Sequence, residues 1–230
     1  MLGSFDFDAV RRALPYLFLE GMRFTLTLTV LAALGGAALG TVLALLRLGG
    51  GRVLAALAGV YVNLMRALPL VLVIFWFYFL APYLGQWALG ARRPVQVGAF
   101  ASSLLTFTLF EAAYFSEIVR GGIEAIPRGQ AAAAAALGLT RGQAMGHVIL
   151  PQVFRAMLPL LLTQVIVLFQ DTSLVYVLSL TDFLGAASKV AQRDGRLVEM
   201  YVFAALVYFA ACFAASRGVR RLQARVAVIR

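Results

Sequence analysis

The chain has 230 residues, of which 62% are hydrophobic and 13% are charged, and its formal net charge is +10. A soluble domain usually carries about a quarter charged residues, so this composition excludes an ordinary soluble protein and indicates an integral membrane protein. One cysteine and one histidine exclude a disulfide framework and a Cys/His metal site. Arginines at the cytoplasmic ends of membrane spans explain the positive charge better than binding of nucleic acid does.

The first predicted elements are an interfacial segment and a membrane span. Residues 1–22 are amphipathic, and we expect them to lie along the outer membrane interface. Arg23 and Arg47 then bracket 23 uncharged residues, which at about 1.5 Å per residue form a helix long enough to cross a bilayer. Within this run, Gly36 and Gly40 have the spacing that permits close contact between helices.

Four more spans follow along the chain. The sequence predicts them at residues 67–91, 94–117, 156–180 and 200–216. The apolar stretch 53–65 is too short to cross and is interpreted as an interfacial or packed lead-in to the second span. Five spans are therefore predicted, with six as the alternative. The distribution of arginines favours an outer N-terminus and a basic cytoplasmic tail at residues 217–230.

A polar segment separates the third and fourth spans. It reads RGQAAAAAALGLTRGQAMGHVILPQ, Arg128 to Gln152, and is too interrupted to cross a bilayer. Its six alanines favour a helix, and Gly138 permits a turn with positive φ. A second short helix is predicted over 141–148, before Pro151 opens the fourth span. Residues 128–150 are thus predicted to form a rigid cytoplasmic projection; an interfacial helix without a partner is the alternative.

This segment resembles the coupling loop of ABC importer membrane subunits, whose pattern is A-A-x-x-x-G-x9-I-x-L-P. The matching positions here are Ala133, Ala134, Gly138, Val148, Leu150 and Pro151. In this family a glutamate usually precedes the two alanines of the pattern, and Ala132 stands at that position here. Val148 stands where the pattern has isoleucine. The segments RALPLVLVIFWFYF and EAAYFSEIVRGGIEAIPRGQ resemble the polar amino acid permeases. The segment LPLLLTQVIVLFQDTSLVYVLSLTDFLGAASKVAQRDGRLVEMYVF, from Leu158, is similar to glutamate/aspartate-type permease subunits.

The resemblance implies an all-α polytopic membrane protein with five transmembrane helices of the type I ABC importer permease kind. Residues 1–230 would form one permease domain in a bacterial inner membrane. The implied partners are a second permease chain, identical or different, two cytoplasmic ATPase subunits and an extracytoplasmic solute-binding protein. ATP and magnesium would bind to the ATPase, because this sequence has no G-x-x-x-x-G-K-[ST] phosphate loop and no cofactor site of its own. The cargo would be glutamate or aspartate, with glutamine, arginine or histidine as alternatives.

Two groups of polar residues lie within or near the spans. A charged group inside a membrane is costly and is therefore a functional hypothesis. The group in the fourth span consists of Gln170, Asp171, Thr172 and Ser173. They are interpreted as lining the translocation pathway or its gate, or as an N-cap where a helix restarts. In the third span, Glu117 and Arg120 are three residues apart and are predicted to form a structural ion pair.

Two other classes of protein stay open at this point. An ion-driven secondary transporter would use Asp171 as a proton relay, but such proteins often show an inverted repeat, which this sequence lacks. A non-transporting scaffold would use the alanine helix only to anchor a partner, and a carboxylate inside the membrane argues against it.

Overall fold

The computed structural model describes residues 5–95 and 97–226, and the regular elements in this part of the chain are helical. The α-helices are α1 Phe7–Tyr16, α2 Arg23–Gly49, α3 Gly51–Ala67, α4 Leu70–Phe75, α5 Ala81–Leu89, α6 Ala99–Glu124, α7 Arg128–Ala136, α8 Arg141–Gln143, α9 Leu150–Asp171, α10 Phe183–Asp194 and α11 Leu197–Val226. π-Helical turns lie at Leu17–Met22, Trp76–Leu80 and Ala144–Ile149, and a 3₁₀ helix lies at Thr172–Leu178.

Four helical stretches among the described residues are long and apolar enough to cross a membrane. They are Phe7–Gly49, Leu70–Leu89, Arg141–Leu178 and Leu197–Arg225. The third predicted span forms helix α6, which has 26 residues but is not one of the four. Its serines, threonines and three glutamates lower its mean hydropathy. The described part of the chain is thus that of an all-helical membrane protein with four long apolar spans.

The N-terminal region is one continuous helical stretch, and the interfacial position of its first part stays a prediction. α1 passes through the π-helical turn Leu17–Met22 directly into α2, and the whole stretch has 43 residues. At about 1.5 Å per residue this is roughly 65 Å, about twice the hydrocarbon thickness of a bilayer, so part of it must lie outside that layer. Residues 1–4 of the predicted interfacial segment lie outside the described residues, as do residues 227–230 of the predicted tail.

The chain divides into two compact units. The first is drawn from Met1–Leu34, Leu68–Thr108 and Ile166–Ala215. Its apolar core has two clusters. One joins the first helical stretch to α10 and α11 through Ala9, Val10, Ala13, Leu17, Phe183, Ala186, Ala187, Val190, Ala191, Met200 and Ala204. The other contains Leu28, Ala32, Ile74, Phe107, Leu168 and Val175.

The second unit is drawn from Gly35–Ala67, Leu109–Val165 and Ser216–Arg230. Within it, α2 lies against α6 at Gly40, where an added Cβ would stand 2.7 Å from the carbonyl oxygen of Ala112 and 2.7 Å from Cβ of Phe115. Only glycine allows this approach, so the close contact predicted from the glycine spacing is confirmed. The hydroxyl of Tyr61 in α3 donates to the carbonyl of Leu109, at 2.7 Å.

Candidate functional site

The turn after α7 has a defined hydrogen-bonded geometry. Gly138 has φ +78°, as predicted from glycine at this position. Its N–H donates to the carbonyl of Ala135 at 3.0 Å, and the N–H of Leu139 donates to that of Ala134 at 3.1 Å. This pair of bonds is a Schellman motif, which ends a helix on a left-handed residue. The alanine helix is therefore terminated sharply and its last carbonyls are satisfied.

The next helix begins two residues later on a capping box. The hydroxyl of Thr140 accepts from the N–H of Gln143 at 3.3 Å, and the side-chain oxygen of Gln143 accepts from the N–H of Thr140 at 2.9 Å. Reciprocal capping satisfies two N–H groups at the start of the helix. The residues Leu137–Thr140 thus form a short turn whose two ends are both fixed by sequence-local bonds.

The predicted second short helix over 141–148 is wrong as a separate element. The helical stretch that starts at Arg141 runs without a break to Leu178, through Pro151. Proline lacks an N–H, but the π-helical turn Ala144–Ile149 just before it already shifts the hydrogen-bond register, so the helix continues. The projection is therefore made of α7, the glycine turn and the beginning of the fourth span's own helix.

The loop presents most of α7 to solvent. Ala134 is 2% exposed and faces the following helix, together with the buried Ala144. Ala133, Gly138 and the signature position Ala132 are exposed, and Leu137 is 82% exposed. Of the remaining pattern residues, Val148 and Leu150 are half-buried and Pro151 is exposed. One face of α7 is thus held by its own chain, and the other is open.

Glu117 in α6 is surrounded by three arginines. Its carboxylate lies 2.8 Å from Arg120, is bonded to Arg47, and lies 3.7 Å from Arg66. The Arg66 guanidinium also stands 5.7 Å from the ring centre of Tyr114, a cation–π distance. The structure brings Glu117 and Arg120 together and adds two arginines from α2 and α3. Nothing in the spacing along the sequence indicated those two partners.

Asp171 precedes the 3₁₀ helix Thr172–Leu178 at its N-cap position but does not cap it with its side chain. Asp171 has a helical backbone, φ −66° and ψ −28°, and its side chain makes no capping bond. It is half-buried, and its side chain makes no hydrogen bond or ion pair within residues 5–95 and 97–226. Thr172 is fully buried and donates to the carbonyl of Phe169 at 2.8 Å. The predicted restart of a helix after Asp171 is present, but the predicted capping bond of its side chain is not.

Gln170 and Ser173 face a pocket in the first unit. The pocket has a volume of about 330 Å³ and is lined by Gln170, Ser173, Leu184, Tyr201, Ala204, Ala205 and Tyr208. The side-chain amide of Gln170 lies 3.4 Å from the sulfur of Cys212. Asp171 and Thr172 do not line this pocket, because successive helical residues point about 100° apart. Of the four predicted residues, two thus line the pocket and two do not.

Asp182 is a buried carboxylate that the sequence reasoning missed. It caps α10 by accepting from the N–H groups of Leu184, at 3.0 Å, and Gly185, at 3.1 Å. Burial raises the pKa of Asp182 to about 7, although these N–H groups act to lower it. The signal was available in the sequence, since Asp182 precedes an apolar helix in the manner of an N-cap residue.

The fold and the loop together define a polytopic helical membrane protein with an exposed helix–turn projection. The model of the family described as "Binding-protein-dependent transport system inner membrane component" matches residues 17–228. The chain belongs to this family. It is therefore the membrane component of such a transport system, and ATP hydrolysis belongs to a separate subunit.

Relatives cover nearly the whole chain. The "Glutamate/aspartate import permease protein GltK" of Escherichia coli O6:H1 is 51% identical over 97% of this chain and 99% of GltK. The "Arginine transport system permease protein ArtQ" of Bacillus subtilis is 34% identical over 90% of each chain. A solved structure described as an amino acid ABC transporter with histidines has a TM-score of 0.85 and 29% identity, and covers 96% of this chain and 99% of its own.

Proposed function

We propose that this chain is the permease subunit of an ATP-driven importer for glutamate or aspartate. The observation that carries the proposal is the 51% identity to a glutamate/aspartate import permease over 97% of the chain. The 34% identity to an arginine permease favours a second candidate, an importer for another polar amino acid. In both cases the chain sits in a bacterial inner membrane.

Five spans with an outer N-terminus are the proposed topology. Helix α6 supplies the fifth span, because 26 residues at about 1.5 Å each give roughly 39 Å, enough to cross. Its glutamates are compatible with this position because Glu117 is bonded to arginines rather than to lipid. This topology puts the loop after α6 and the C-terminal end of α11 in the cytoplasm.

The exposed side of α7 and the Gly138 turn are proposed as the contact with a cytoplasmic ATPase subunit. An alanine helix has no bulky side chains, so a groove on a partner can approach its backbone closely. The turn is rigid because both of its ends are capped. Two ATPase subunits, which bind ATP and magnesium, would move this projection and the helix that continues from it. Because Ala132 stands where the family has a glutamate, this contact would lack one negative charge.

The translocation pathway is proposed to form with a second permease chain, identical or different. Asp171 supports this, because a half-buried carboxylate without a partner in its own described residues is costly inside a membrane. An arginine of the second chain or the ammonium group of the solute would provide the missing charge. Asp171→Asn should lower uptake about ten-fold or more; assembly should be unchanged if the partner is the solute and weakened if it is an arginine of the second chain. The matched control Asp8→Asn removes an exposed carboxylate at the N-terminus and should leave uptake unaltered.

The substrate is tested through the ATPase. The complex of this chain with its ATPase, second permease and solute-binding protein is purified, and ATP hydrolysis is measured with the binding protein loaded with single amino acids. Stimulation by glutamate or aspartate, and not by arginine or glutamine, is the expected result. Stimulation by arginine alone would retain the importer and replace the proposed cargo.

A further inference from the structure

A second pocket in the first unit has the features of a small-solute site. Its volume is about 310 Å³, and it is lined by Leu19, Glu20, Arg23, Phe24, Thr27, Phe100 and Thr181. Pockets that bind small molecules measure about 300–1,000 Å³, so this one suits a small solute. In the proposed topology the helix ends that form it all lie on the extracytoplasmic side.

The walls of this pocket are fixed to each other. Gly21 packs against the start of α10, where an added Cβ would stand 2.9 Å from both Cβ of Ala186 and Cα of Phe183. The hydroxyl of Thr25 accepts from the N–H of Phe183 at 3.0 Å. The π-helical turn Leu17–Met22 ends next to these contacts, and such turns are frequent at functional sites.

The pocket combines charged groups with an aromatic wall. Phe24 and Phe100 form this wall, with ring centres 5.4 Å apart and an edge-to-face arrangement. Glu20 and Arg23 are both exposed, and neither makes an ion pair within the described part of the chain. Although three residues apart on one helical stretch, they do not neutralise each other. Both charges are thus available to a ligand.

A second positive charge stands at the rim. The ammonium group of Lys189 donates to the hydroxyl of Thr181, which lines the pocket, at 2.5 Å. Lys189 is exposed and is the single lysine of the sequence. The neighbouring Asp182 is fully buried and bonded to backbone N–H groups, so its carboxylate does not line the pocket.

We propose that this pocket is an extracytoplasmic binding site for an acidic amino acid. Arg23 and Lys189 take the two carboxylates, and Glu20 takes the α-ammonium group. Two cations and one anion on the protein match two anions and one cation on the ligand, and the arginine fork can hold a carboxylate through two parallel bonds. The proposal rests on the proposed function and assigns to it the residues that select an acidic cargo.

The single lysine gives a direct test. The permease–ATPase complex in nanodiscs of phosphatidylglycerol is treated with an amine-acylating reagent, and modification of Lys189 is followed by mass spectrometry. Glutamate and aspartate are expected to protect Lys189. Glutamine should protect it only at a concentration at least about ten-fold higher, because glutamine lacks the second negative charge. Glu20→Gln and Arg23→Gln should raise the half-protecting glutamate concentration about ten-fold. The matched exposed controls Asp8→Asn and Arg11→Gln should behave as the unchanged protein.

The headgroup of phosphatidylethanolamine also carries an anion and an ammonium group, so the nanodisc experiment is repeated with this lipid. Protection by the lipid without glutamate would overturn the proposal. So would the absence of glutamate protection in a complex that imports glutamate with ATP, a result that leaves the proposed function intact. Conversely, protection of Lys189 by glutamate in a complex without ATP-driven uptake would support the site and contradict the proposed function.

Discussion

Substitution of Gly138 should change the backbone conformation of the loop without a clash between side chains. Its φ of +78° is unfavourable for residues with a Cβ, while an added Cβ would meet nothing within 4 Å. The cost of Gly138→Ala is therefore a backbone cost of about 1–2 kcal/mol. Since 1.4 kcal/mol is a factor of ten in an equilibrium, the native turn would lose roughly five- to thirty-fold in population relative to alternatives. Valine should cost more, and asparagine less, because asparagine tolerates this region.

The assay is the number of ATP molecules hydrolysed per amino acid imported by the reconstituted complex. Gly138→Val should raise this ratio strongly, Gly138→Ala moderately and Gly138→Asn least. Gly142→Ala is the matched control, because Gly142 is an exposed helical glycine of the same loop with no positive φ and nothing near its Cβ position. Unchanged coupling in Gly138→Val, or an equal loss in Gly142→Ala, would refute the assignment of the turn as the ATPase contact.

Three further predictions concern stability, measured by thermal unfolding in detergent. Gly40→Ala should destabilise by about 1–3 kcal/mol, because its Cβ would overlap α6, whereas Gly49→Ala meets nothing and should be neutral or stabilising; equal effects would contradict the packing. Glu117→Gln should cost about 1.5–3 kcal/mol, because Arg47 and Arg66 lose their carboxylate and Arg120 keeps only Glu124. Glu124→Gln, at a half-exposed side chain, should cost under about 1 kcal/mol. Asp182 binds its proton more tightly in the folded state, so its contribution to the free energy of unfolding should fall as pH rises from about 4 to about 7. Asp182→Asn keeps the cap and should remove that pH dependence. An unchanged dependence of stability on pH in this variant would contradict the raised pKa.

The local features of the loop could be predicted from the sequence because their causes are local. Six alanines favour a helix, and Gly138 is the residue that a left-handed turn requires. The error at Pro151 has a local cause too. Proline usually opens a helix, but the π-helical turn before it accommodates the missing N–H, and such turns have no clear sequence signal.

Features that depend on distant residues could not be predicted. Helical spacing predicts the pairing of Glu117 with Arg120, whereas Arg47, 70 residues away, reaches Glu117 only through helix packing. The surroundings of Asp171 depend on distant residues in the same way. Asp, Thr and Ser are residue types that cap helices, and only the structure shows that Asp171 has a helical backbone and no capping bond from its side chain. That α6 crosses the membrane stays a prediction, because its polar residues lower its hydropathy and it is not one of the four apolar stretches.

The central claim is that this chain is the permease of an ATP-driven importer of an acidic amino acid. The most direct measurement is uptake of labelled glutamate into liposomes that contain this chain, its second permease chain and its ATPase, with the binding protein outside and ATP inside. The account predicts uptake that requires both ATP and the binding protein and that aspartate competes away. Uptake driven by an ion gradient without ATP would contradict it.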